Sequence, residues 1–173
     1  MNLVLGFAPF LLFVLMSRLS VDLALWAAFA AAFVVTIRDF VESPSLRLLD
    51  VGNLVLFGAL ALVRGFLVPE LSLAAVRFIA ELALFLLLAG SILAGRPFSL
   101  QYARPEQQWS PAAFRRINYL ISTFWLIAFA AMAGADAAVV LGLLSLVAAI
   151  AIGLVALAIA VGFTLYYPAL ARR

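Results

Sequence analysis

Apolar positions in this chain come in long runs, and polar positions gather in a few short clusters between them. With ~20 apolar residues taken as one bilayer crossing, the runs predict six helices, at about 2–16, 23–37, 51–67, 71–94, 113–133 and 137–166. The first is short and contains Pro9, which is tolerable where a neighbouring helix or a water satisfies the freed carbonyl. Arg38 and Asp39 close the second helix, and the polar segment to Asp50 carries Pro44 at its turn. Val68, Pro69 and Glu70 read as a tight hairpin, and Gly134, Ala135 and Asp136 as another short turn. Tyr166, Tyr167, Arg172 and Arg173 anchor the last helix at an interface. The expected fold class is all-α: a polytopic membrane protein, a bundle of about six transmembrane helices forming one domain over residues 1–173. Ser43-Pro44 with Arg47 and Asn53, echoed by Ser110-Pro111 with Arg116 and Asn118, suggests three helical-hairpin repeats.

Composition strengthens the membrane reading. The 173 residues are 68% hydrophobic and only 11% charged, with a mean hydropathy of +1.25. A soluble domain of this length cannot hide that much apolar surface, so the bilayer must be its solvent. Cys and His are both absent. That excludes disulfides, thiol redox chemistry, haem ligation by His, zinc sites built on His or Cys, and a His general base. Neither a metal, a cofactor nor an enzymatic activity is expected. The opening residues lack the positive n-region and cleavage signature of a signal peptide, so they read as a retained helix.

The longest polar interruption is Gly95 to Asn118, with Arg96, Arg104, Arg115 and Arg116 among Phe98, Tyr102, Trp109 and Phe114. Basic residues beside aromatic ones suit a loop at a membrane–water interface, with the rings at headgroup level. Arg96, Arg104, Arg115, Arg116 and Asn118 are therefore the candidate surface for a partner protein or for anionic lipid headgroups. The alternative for the arginines is an ordinary topology anchor.

All eleven basic residues are Arg, spread between apolar blocks, which does not suggest a nucleic-acid partner. Arg38, Arg47, Arg96, Arg104, Arg115, Arg116, Arg172 and Arg173 fall on one side of the six-helix parse, against Arg18 alone on the other. By the positive-inside rule both termini are expected in the cytoplasm.

Arg64, Arg77 and Glu81 are the ionisable residues deep inside predicted helices. Arg77 and Glu81 are one turn apart and share a helix face. Glu81 lies ~15 Å along its helix, near the bilayer midplane, where an unpaired charge is costly. One reading is a buried cluster that binds an anion or relays a proton. The plainer one is that Arg77 neutralises Glu81 while Arg64 snorkels to water. Ala149 and Gly153, Ala156 and Ala160, and Ala27 and Ala31 are small residues at spacing four, which permits close helix approach within the chain or in a homo-oligomer.

Pro9 with the run Leu11 to Val14 and Arg18, Gly95-Arg96, and above all Pro111, Phe114, Arg115, Arg116, Ile117, Asn118 and the pair Phe124-Trp125 carry a resemblance. The chain resembles the intracellular septation protein A family, small multi-pass inner-membrane proteins of bacteria. The resemblance departs at Ile121, where that family has tryptophan, and in the segment Gln101 to Trp109. It implies a role in cell-envelope biogenesis and membrane integrity around division, with envelope-synthesis or division proteins as partners and no catalytic activity. Two functions are thus expected: a non-enzymatic inner-membrane docking protein, or a small transporter or channel for an anionic or lipid-like substrate using Arg64, Arg77 and Glu81.

Overall fold

The computed structural model describes residues 2–42, 45–103 and 110–170, and it is all-α, with no strand among the described residues. The chain divides into two compact units, Met1–Val76 and Arg77–Arg173.

The first unit opens with two short helices, α1 (Asn2–Gly6) and α2 (Ala8–Met16), followed by α3 (Val21–Glu42) and α4 (Leu48–Leu62). The single crossing expected over 2–16 is therefore two pieces, broken at Phe7. Pro9 explains the break: it lacks an N–H and its ring clashes with the carbonyl four residues back. Asn53, buried on α4, donates from Nδ2 to the Gly6 carbonyl at 2.8 Å, beside the break. The bond ties α4 to the end of α1.

Replacing Asn53 by Leu removes that bond and should cost about 0.6–1.7 kcal/mol, from the average to the largest of the side-chain hydrogen bonds measured within membranes. Thermal unfolding in detergent would report it, and an unchanged transition would mean the contact is idle.

Helix α3 packs against α2 and α4. Phe13 and Phe57 meet at 5.5 Å, and Gly58 lets α4 approach the Phe29 ring so closely that a β-carbon would stand 3.0 Å from it. Helix α3 runs past its expected end at Ile37, and the extra turn buries Asp39 under Arg38 and Arg47. The last residues of the α4 span, Val63–Leu67, widen into a π turn closed by a Val68 N–H to Val63 carbonyl bond, just before Pro69.

The second unit takes in most of α5 (Leu73–Leu93), a 3₁₀ turn at Phe98–Gln101, α6 (Pro111–Val140) and α7 (Leu146–Leu170). Helices α6 and α7 are its main packed pair. Ser110 caps α6 by accepting from the Ala113 N–H, with Pro111 in the first turn. Gly142, at φ +73°, ends α6 in the left-handed conformation that glycine adopts without strain. The turn between the last two helices is thus at residues 141–145. The turn expected at Gly134 to Asp136 is instead continuous helix.

Among the described residues, five helical stretches are long and apolar enough to cross a membrane: Val21–Glu42, Leu48–Leu67, Leu73–Leu93, Pro111–Val140 and Leu146–Pro168. At ~1.5 Å per residue, α1 and α2 together reach only ~22 Å, short of the ~30 Å hydrocarbon core.

Polarity is inverted relative to a water-soluble protein. Asp39, Asp50, Asn53, Arg77, Glu81 and Asp136 are buried, whereas Leu15, Phe33, Val34, Val55, Phe66, Leu86, Ile127 and Val155 are exposed. Large apolar side chains facing outward around buried charges are what a lipid solvent requires. This is a multi-pass membrane protein.

Candidate functional site

Three charged side chains converge in the second unit. Arg77 and Glu81 stand one helical turn apart on α5, and Asp136 joins them from the last turns of α6. The Arg77 Nε donates to Asp136 Oδ2 at 2.8 Å, and its Nη2 donates to Glu81 Oε1 at 3.4 Å. One guanidinium thus bridges two carboxylates, held more tightly on the aspartate. Glu81 and Asp136 are completely buried and Arg77 is 2% exposed. Gly153 of α7 lies against the guanidinium: a β-carbon there would stand in ordinary contact, 3.7 Å from Arg77 Nη2 and from Met132 Cγ.

The triad has more acid than base and more acceptors than donors. Glu81 Oε2 and Asp136 Oδ1 are buried without a hydrogen-bond partner. Counting ~1.5 Å per residue, Arg77 and Glu81 stand ~6 and ~12 Å from the start of α5, and Asp136 ~6 Å from the end of α6. Arg77 and Asp136 therefore lie near the end of the unit that holds the 141–145 turn, and Glu81 one turn deeper, close to the middle of α5.

Arg64 is engaged elsewhere. It lies in the π turn and bonds to Asp22 at 2.8 Å and to the Leu71 carbonyl, within the first unit. Asp136, read from the sequence as a turn residue, takes the place beside Arg77 and Glu81 that one of the two sequence readings gave to Arg64. Its signal was available: Trp125, Phe129, Met132 and Asp136 follow one another at spacings of three and four, so the aspartate extends a stripe that the structure buries. Asp39 and Arg47 were also missed as a pair. Their ion pair, shared with Arg38, joins α3 to the start of α4.

The residues of the polar interruption separate into two groups. Arg96, Arg115 and Arg116 are exposed. Arg115 donates to the Gly95 carbonyl at 3.3 Å and lies over the Tyr119 ring at 5.7 Å. Gly95, at φ +72°, ends α5 as Gly142 ends α6. Asn118 belongs to the interior, 3% exposed, and its amide donates to the Phe114 carbonyl. The chain after Gly95 folds inward, burying Phe98, Ser99 and Tyr102. Ser99 donates through its hydroxyl to the Asn118 carbonyl at 2.8 Å, and the Ser122 hydroxyl donates to Ser99 Oγ at 3.0 Å. Phe98 and Tyr102, expected at headgroup level, are core side chains instead. Arg104 and Trp109, with Pro44, Arg172 and Arg173, lie outside the described residues.

Asn53 and Asn118, which suggested a repeat, make different bonds: one reaches another helix, the other its own. Comparison with known proteins found no matching family model, curated protein or solved structure.

Proposed function

We propose that this membrane protein is a small transporter that works through Arg77, Glu81 and Asp136. The observation that carries the reading is the complete burial of two carboxylates against one guanidinium inside membrane-spanning helices. A charge in that setting is expensive, and a purely structural ion pair needs one acid, not two. The surplus acid favours a cationic ligand over the anionic or lipid-like substrate expected from Arg64, Arg77 and Glu81.

A second reading is favoured by the exposed Arg96, Arg115 and Arg116 at one end of the second unit. Arg115 is held there by Gly95 and Tyr119, and each basic residue near an anionic surface is worth ~1 kcal/mol. Such a face suits docking to anionic lipid or to an envelope-synthesis or division partner, the role implied by the resemblance to the septation protein family. Neither reading involves catalysis.

The arginine asymmetry supports placing the ends that carry Arg47, Arg96, Arg115 and Arg116 at the cytoplasmic face of a bacterial inner membrane, together with the chain after α7. The N-terminus shares that side where α1 and α2 complete a crossing.

Complementation of a deletion strain, scored for cell length and survival of osmotic shock at equal membrane levels, separates the two readings. The transporter reading expects Asp136→Asn to lose rescue and the double variant Arg115→Ala with Arg116→Ala to keep it. The reverse pattern favours docking. Full rescue by both sets of variants would leave neither standing.

A further inference from the structure

Taking the transporter reading as given, we infer that the ligand of the triad is a single proton, held between Glu81 and Asp136 while Arg77 stays charged. Three observations converge on this. The first is charge. Fully ionised, the group carries one positive and two negative charges in a buried site, and a single bound proton brings it to neutrality. The second is the orphaned pair of acceptors, Glu81 Oε2 and Asp136 Oδ1. A proton on Glu81 turns one acceptor into a donor, and because both carboxyls bond the same guanidinium, the new O–H has the Asp136 carboxylate as its neighbouring acceptor. The third is the shortage of ligands for anything larger. A hard metal cation takes about six or more oxygens, and each carboxyl here has already committed one of its two to Arg77. No group of three or more metal-ligating side chains occurs among the described residues.

The distances also say which acid takes the proton. Asp136 holds Arg77 at 2.8 Å and Glu81 at 3.4 Å. Asp136 therefore remains the counter-ion, and Glu81 is the acid that protonates. The step is simple in its balance: a hydronium ion gives its proton to the Glu81 carboxylate and leaves as water, and release reverses this. Arg77 and Asp136 keep their charges throughout. The groups that face Glu81 are Arg77 on its own helix and Asp136 on α6. Helix α7 contributes Gly153 here, and its nearest titratable side chains, Tyr166 and Tyr167, are at least thirteen residues further along. Arg115 and Arg116 lie at the opposite end of α6 from Asp136.

The test uses the full chain in lipid nanodiscs. Infrared difference spectra on acidification read the protonated carboxyl band directly, and a pH-indicator dye counts the protons taken up. The expected result is one titrating buried carboxyl per wild-type chain, lost in Glu81→Gln and kept in Arg115→Ala. Glu81→Gln should also hold its melting temperature, because the amide donates to Asp136 as the protonated acid would. A wild-type spectrum with no titrating carboxyl band overturns the proposal, and so does a band unchanged in Glu81→Gln. If Glu81→Gln does not fold, the wild-type spectrum and proton count still decide. Proton uptake together with full rescue of the deletion strain by Asp136→Asn would leave the proton site standing and remove the transporter reading. Loss of rescue without proton uptake would do the opposite.

Discussion

Arg77→Leu should destabilise the protein by about 3–5 kcal/mol, the usual cost of removing one partner from a buried ion pair. Here the loss strands two carboxylates, both completely buried, so the upper part of that range is expected. Reversible unfolding in mixed micelles would measure it. The informative companion is the triple variant Arg77→Leu, Glu81→Leu and Asp136→Leu. Buried charges are often replaced by packed apolar residues at little cost, so the triple variant should recover most of the loss. It should nevertheless fail to rescue a deletion strain. A triple variant both stable and active would reduce the triad to a dispensable staple between α5 and α6.

Trp125→Ala is the second large effect, at about 3–5 kcal/mol for the cavity it leaves. Trp125 is completely buried on α6, stacks near Phe129 at 6.2 Å, and donates from Nε1 to Thr164 Oγ1 of α7 at 2.9 Å. Lipid chains are as apolar as the protein interior, so packing rather than escape from water holds this helix pair together. Thr164→Val removes the hydrogen-bond partner and keeps the shape, and should cost only about 0.6–1.7 kcal/mol. Equal losses in the two variants would contradict the assignment of most of the effect to packing. The same unfolding measurement serves both.

Much of the architecture was legible because bilayer thickness imposes a length on apolar runs. The runs read at 23–37, 51–67, 71–94, 113–133 and 137–166 each supplied most of a spanning helix on that ground alone, the last starting nine residues later than expected, at Leu146. What local reading missed were the places where a distant partner overrides local chemistry. Gly134 and Asp136 have the composition of a turn. The arginine that keeps Asp136 inside a helix stands 59 positions earlier in the chain, and nothing near Asp136 announces it. Pro9 illustrates the converse. A break there was foreseeable, but the residue that bonds to its edge, Asn53, is 47 positions away. Arg64 was open to two readings, company with Arg77 or a reach to water, and Asp22 offered a partner that spacing could not reveal. The buried Phe98 and Tyr102 belong to the same class, since an aromatic beside an arginine reads as interfacial until the loop is seen to fold inward.

Helix α6 has 30 residues and so extends ~45 Å, about 15 Å more than the hydrocarbon it crosses. A tilt of ~20° removes little of that excess. The surplus cannot be shared evenly between the two ends. Asp136 is tied to Arg77 only four residues from the C-terminal end of α6, so the helix cannot slide toward that side without dragging an ion pair with it. On the topology proposed above, the overhang falls on the other end, which sets its first turns, with Arg115 and Arg116, beyond the hydrocarbon. A thicker bilayer draws those turns in and brings the two arginines down onto the phosphates, while a thinner one lifts them clear. The ion pair thus makes α6 a one-sided gauge of membrane thickness.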